Sequence, residues 1–139
     1  MYMDVSSIIN ADFLKEHIFI VDIIFVYLIW MVQIIIYPSF KFASAKLFNE
    51  WHKKYCFSIG FFVLPLMIIQ LLVSILNLMG NNDWFNFTIV SSTWISTFLI
   101  SAPIHSKLKK VGKSDKIIDQ LIKTNWIRVI LWTTLLVTR

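Results

Sequence analysis

From Ile18 to Pro38 the chain reads IFIVDIIFVYLIWMVQIIIYP, with Asp22 as its one formal charge. A helix of that length, rising about 1.5 Å per residue, covers the roughly 30 Å hydrocarbon core of a bilayer. Three further apolar stretches follow, over about residues 55–79, 84–104 and 121–137. With 58% hydrophobic residues, 15% charged residues and a mean hydropathy of +0.72, the chain carries more apolar surface than one small soluble core can hide.

The expected fold is therefore all-α: an integral membrane four-helix bundle, a single domain over residues 1–139, with no repeat, low-complexity tract or long linker. The opening MYMDVSSIINADFLKEH lacks the basic start and small-residue cleavage site of a secretory signal and is expected to form a short surface helix. Pro65 predicts a kink in the second span, and Pro103 an end or bend in the third. Ser114 is the expected N-cap of SDKIIDQLIKTN, which should lie along the interface before entering as the fourth span.

Charge sets an orientation. The linker after span one carries Lys41, Lys46, Lys53 and Lys54 against Glu50, and the linker after span three carries six lysines against Asp115 and Asp119. Residues 1–17 and the turn GNND at 80–83 are acidic or neutral. The excess of lysine on one face predicts that both termini lie outside, most simply in a bacterial cytoplasmic membrane. The net charge of +5 then belongs to anionic lipid headgroups, and nucleic acid is not expected as a partner.

Polar residues inside an apolar span are costly and mark candidate sites. In span one, Asp22 and Gln33 are eleven residues apart, close to three helical turns, and point in nearly the same direction. In span two, His52, Cys56, Gln70, Ser74 and Asn77 share a face if the helix stays regular through Pro65. Trp94, Thr97, Ser101 and His105 form a stripe on span three, where the hydroxyl residues also suit close helix packing. In span four Asn125, Arg128 and Trp132 share a face, and Gln33 lies at a depth where it can meet Arg128, whereas Asp22 belongs to the opposite half. Snorkelling toward the basic face is the alternative for Arg128.

Gln33, Tyr37, His52, His105, Asn125 and Arg128 are thus the candidate binding residues, converging at the cytoplasmic end of the bundle. Two histidines on different helices suit axial ligation of haem iron, ligation of another metal, or hydrogen bonding to a quinone-like carbonyl or phenol. They also occur as ordinary interface residues. A single Cys56, read as a packing residue, excludes an internal disulfide and a zinc or iron–sulfur site built of cysteines. No phosphate loop, nucleophile elbow, HExxH or catalytic carboxylate pair occurs, which disfavours hydrolase and nucleotide-driven chemistry.

Four segments, WMVQIIIYPSF (30–40), WHKKY with PLM (51–67), WISTFLISAPIHSKL (94–108) and TNWIR with Trp132 (124–132), together resemble a group of small four-span bacterial membrane proteins of uncharacterised function. Val129 stands where that pattern has Thr, and WTTLLVTR displaces its late Arg. In size, span number and the late Trp/Asn/Arg cluster the chain is also similar to anthrone-oxygenase-like proteins. Its YP at the end of span one and Pro in span two resemble the membrane protoporphyrinogen-oxidase type, whose early histidine has no counterpart here because His17 precedes the span.

The expected function is a membrane protein holding a lipophilic ligand or redox cofactor, haem or quinone, with oxidoreductase activity in view. The alternative is a non-catalytic accessory or assembly subunit of a larger membrane complex, or a homo-oligomer. A transporter ranks last, since the chain shows neither a twofold repeat nor Gly-broken helices.

Overall fold

The computed structural model describes residues 11–139 and is helical almost throughout. Helix α1 (Ala11–Met31) passes through a π-helical turn (Val32–Ile36) into the single turn α2 (Tyr37–Ser39) and a 3-10 turn (Phe40–Phe42). Helix α3 (Phe48–Asn81) returns. The third rod joins α4 (Trp84–Ile95) to α5 (Ala102–Val111) through a second π turn (Ser96–Ser101), and α6 (Asp115–Thr138) closes the bundle. The expected surface helix falls partly outside the described residues; from Ala11 on, the chain already belongs to α1.

Three rods, Asp12–Phe42, Phe48–Asn81 and Trp84–Val111, are long and apolar enough to cross a membrane. Helix α6 has the length, with 24 residues, but Lys123, Asn125 and Arg128 around its middle and the charged turn before them make it the most polar of the four. Each rod outruns the apolar stretch that announced it, because backbone hydrogen bonding continues after the side chains turn polar.

The rods form a ring in which α1 packs on α6 and α3, and α4 packs on α3 and α6. Small or flat groups let them approach: Phe25 of α1 stacks on Trp132 of α6 with ring centroids 4.5 Å apart and planes 9° from parallel. Phe25, Met67, Val90, Leu121 and Leu135 are fully buried in the core of the bundle. Outside, Tyr27, Phe57, Phe61 and Leu99 are largely exposed, as lipid-facing positions should be when the solvent is itself apolar.

Turn chemistry fixes the connections. Asn82 takes the left-handed conformation (φ 55°) that stops α3, and the Asp83 carboxylate caps α4 by accepting from the Asn86 N–H at 3.0 Å. Gly112 at φ 87° ends α5, where an L side chain would be strained. Ser114 does occupy the N-cap of α6, but its hydroxyl makes no capping bond; its carbonyl accepts the first helical bond from Ile118 instead. The Lys113 ammonium donates to the carbonyls of Lys41 and Ala43, which ties the two lysine-bearing linkers together at one end of the bundle.

Neither Pro65 nor Pro103 ends its rod. Helix α3 runs without interruption through Pro65. The third rod neither ends nor leaves its helical path at Pro103; its irregularity is the π turn just before, where the Ala102 N–H reaches back five residues to the Thr97 carbonyl. Pro38 is preceded in the same way, with the Tyr37 N–H donating to Val32. A proline ring crowds the carbonyl four residues earlier and offers it no donor, and a widened turn relieves both demands.

Candidate functional site

Both π turns sit just ahead of side chains that meet in the lysine-rich half of the bundle. The first places Gln33 within it and Tyr37 directly after it; the second places Ser101 at its end, one turn before His105. All six residues singled out from the sequence lie in one hydrogen-bonded chain. Gln33 donates from Nε2 to the Ile122 carbonyl (3.2 Å) and accepts at Oε1 from Asn125 Nδ2 (2.8 Å). Asn125 Oδ1 accepts from Arg128, which also donates to the Tyr37 hydroxyl oxygen at 2.9 Å. Tyr37 Oη lies 3.1 Å from His105 Nε2, and His105 Nδ1 lies 2.9 Å from His52 Nε2. Gln33 therefore reaches Arg128 through Asn125 and not directly.

Arg128 does not snorkel. Only 7% exposed, it points into the bundle, and no carboxylate pairs with it among the described residues. A cation buried without a counter-ion is costly, and the two oxygen acceptors offset only part of that. Its Nε hydrogen has no acceptor among the described residues.

His52 is fully buried, its ring stacked between Phe48 (5.2 Å, 10°) and His105 (5.1 Å, 24°) with Phe40 edge-on. Its Nδ1 has no partner. Cys56, one helical turn along α3, brings Sγ to 3.6 Å from both His52 Nε2 and His105 Nδ1. Read from the sequence as a packing residue, it also lies within hydrogen-bonding distance of both histidines, and its four-residue spacing from His52 is the signal that marks it in the sequence.

A cavity of about 260 Å³ begins at this cluster. Tyr37, Cys56, His105 and Arg128 border its polar end, Val32, Val63 and Trp132 its apolar walls, and the exposed Leu64 and Phe98 its rim. Gly60 also lines it, and a Cβ built there meets nothing within 4 Å, so the glycine leaves room that a side chain would fill. Thr97 and Ser101 face the cavity, the Thr97 hydroxyl without a partner, whereas Thr93 and Ser92 spend theirs on carbonyls of their own helix. The stripe from Thr97 to His105 thus divides from the packing hydroxyls before it.

The opposite half holds a second polar group. Asp22 Oδ1 accepts from Gln70 Nε2 at 2.6 Å, Gln70 Oε1 accepts from Trp132 Nε1 at 3.1 Å, and the second oxygen of Asp22 pairs with Arg139. Arg139 was not expected in this role; as the last residue it gives no helical spacing to read.

Comparison with family models, with curated proteins and with solved structures returns no match to this chain.

Proposed function

We propose that the protein is a four-span integral membrane protein, both termini on the non-cytoplasmic side, whose cavity in the lysine-rich half binds the head group of a quinone-like lipophile. The sidedness rests on the lysine distribution and on the two linkers that Lys113 ties together at one end. The single observation that carries the ligand is the cavity: mostly apolar in its lining, with the Tyr37 hydroxyl, the His105 imidazole and Arg128 gathered at its polar end.

A carbonyl or phenolate oxygen is the group this end favours. It would accept from Arg128, whose buried charge lacks a counter-ion, and exchange a proton with the tyrosine–histidine pair. At about 260 Å³ the space falls below the roughly 300–1,000 Å³ of sites that hold a whole drug-sized molecule, so a ring enters while its tail stays among lipid. A porphyrin fits poorly. It is larger than the space, and bis-histidine ligation would require it to wedge apart the His52 and His105 imidazoles, now in direct contact at 2.9 Å. If the bound ring changes redox state, the chain is an oxidoreductase or a quinone-handling subunit.

Purified in mild detergent, the protein should retain an extractable aromatic lipophile detectable by mass spectrometry. Gly60→Phe, whose Cβ meets no heavy atom within 4 Å and whose ring would occupy the cavity, should abolish its retention while leaving the melting temperature within a few degrees. An accessory role draws on the exposed row Phe57, Phe61 and Phe62 of α3. An empty cavity together with a co-purifying membrane partner would favour that role.

A further inference from the structure

We propose that His52, Cys56 and His105 form a binding site for a single copper(I) ion. The inference does not rest on the lipophile: Cys56 and His105 also border the cavity's polar end, but the ion needs nothing in the cavity itself.

The three donor atoms form a triangle. His52 Nε2 and His105 Nδ1 are 2.9 Å apart, and Cys56 Sγ is 3.6 Å from each. With metal–nitrogen bonds of about 2.0–2.1 Å and a metal–sulfur bond of about 2.3 Å, a trigonal or tetrahedral ion needs nitrogen–sulfur separations of about 3.5–3.8 Å and a nitrogen–nitrogen separation of about 3.3–3.6 Å. The sulfur distances already match. The nitrogens need to separate by about half an ångström, which follows once a metal replaces the proton shared between them. Hydrogen bonding alone gives a poor account of the cluster: among the described residues His52 has no hydrogen-bond partner other than these two soft or borderline donors.

The surroundings supply what a metal site requires. His52 and Cys56 lie one turn apart on one helix, and His105 comes from the facing rod, so the ion would cross-link two helices. Once Nδ1 of His105 is a ligand, its Nε2 must carry the hydrogen and donates it to Tyr37 Oη at 3.1 Å, which orients the ring from behind. Phe40 and Phe48 wall off His52 from water.

Charge and softness select the ion. One thiolate with two imidazoles is a soft to borderline donor set, suited to copper or zinc. Binding releases the Cys56 thiol proton and leaves both imidazoles neutral. With copper(I) the resulting centre has no net charge, whereas zinc(II) would add a positive charge in a dry region that already holds Arg128 and borders on Lys109.

The test is an anaerobic titration of the detergent-purified full chain, stripped with chelator, against copper(I) in competition with a chromogenic copper(I) chelator. One ion per chain is expected. Cys56→Ser should weaken binding at least ~100-fold, and Tyr37→Phe by ~10–100-fold through loss of the orienting bond. Monodispersity and melting temperature, measured alongside, separate lost binding from lost folding, and Cys56→Ser is close to isosteric. Uptake that Cys56→Ser leaves unchanged, or no uptake by the folded wild type, would overturn the site. Tighter binding of zinc(II) than copper(I) would overturn the choice of ion.

Discussion

The bundle carries two buried polar groups, and they are built to different ends. In the half holding Arg139, the carboxylate of Asp22, the amide of Gln70, the indole of Trp132 and the guanidinium of Arg139 satisfy one another, and charge cancels. In the lysine-rich half, among the described residues, Arg128 has no carboxylate, His52 Nδ1 and Arg128 Nε have no partners, and a cavity adjoins. Both groups contain fully buried polar side chains, Gln70 in one and His52 in the other, so burial alone does not separate a structural network from a site. The separating features are uncancelled charge and unspent hydrogen-bonding capacity beside open space.

That contrast makes opposite demands on substitutions. The largest loss of stability should come from Gln70→Ala, which strands Asp22 Oδ1 and Trp132 Nε1 together and leaves a void: about 3–4 kcal/mol, read as a shift in the chemical-unfolding midpoint in micelles. Lipophile retention by the folded fraction should survive it. Next comes Arg139→Gln, expected to cost about 2 kcal/mol, because Asp22 would keep a charge with no cation, softened by the partial exposure of Arg139 at the chain end. A cost near zero there would mean that the terminal pair is ornamental and would erase the distinction between the halves.

Arg128→Met should do the reverse of both. Stability should move by less than about 1 kcal/mol, since an apolar isostere removes a buried unpaired charge, while lipophile retention falls at least ~10-fold. Strong destabilisation with intact retention would reassign Arg128 to the structural group. The smallest effect belongs to Lys41→Ala at the Lys41–Asp119 pair, whose side chains are 38% and 50% exposed: under about 0.5 kcal/mol, and vanishing at high salt.

Much of the architecture was legible because a bilayer reduces the choice of fold to a few options. Apolar runs of span length, GNND between two of them and the one-sided lysines led to a helical bundle before any coordinates. The candidate residues were legible for a related reason: Gln33, His105, Asn125 and Arg128 are polar where polarity is costly. Three things were not. Asp83 and Asn82 are visible as turn residues, yet the hydroxyl of Ser114 stays idle because the cap geometry depends on a loop that the spacing does not describe. Arg139 pairs with Asp22 across 117 positions, a contact that only the packed bundle sets. The π turns were missed because a regular 3.6-residue period was assumed through Pro38 and Pro103, although a proline shortly after a polar residue in a span is a usable sign of a widened turn.

Those two turns have an uncommon implication for how such a centre arises and is lost. A π turn accommodates one more residue than the α-helix around it, and each residue of a helix advances the direction of the next side chain by about 100°. Tyr37 and His105 face inward only because one surplus residue precedes each of them. Shortening either rod by a single position would leave a sound apolar helix while swinging the hydroxyl or the imidazole away from its partners, so the chemistry of this interior hangs on two insertions that hydropathy does not detect.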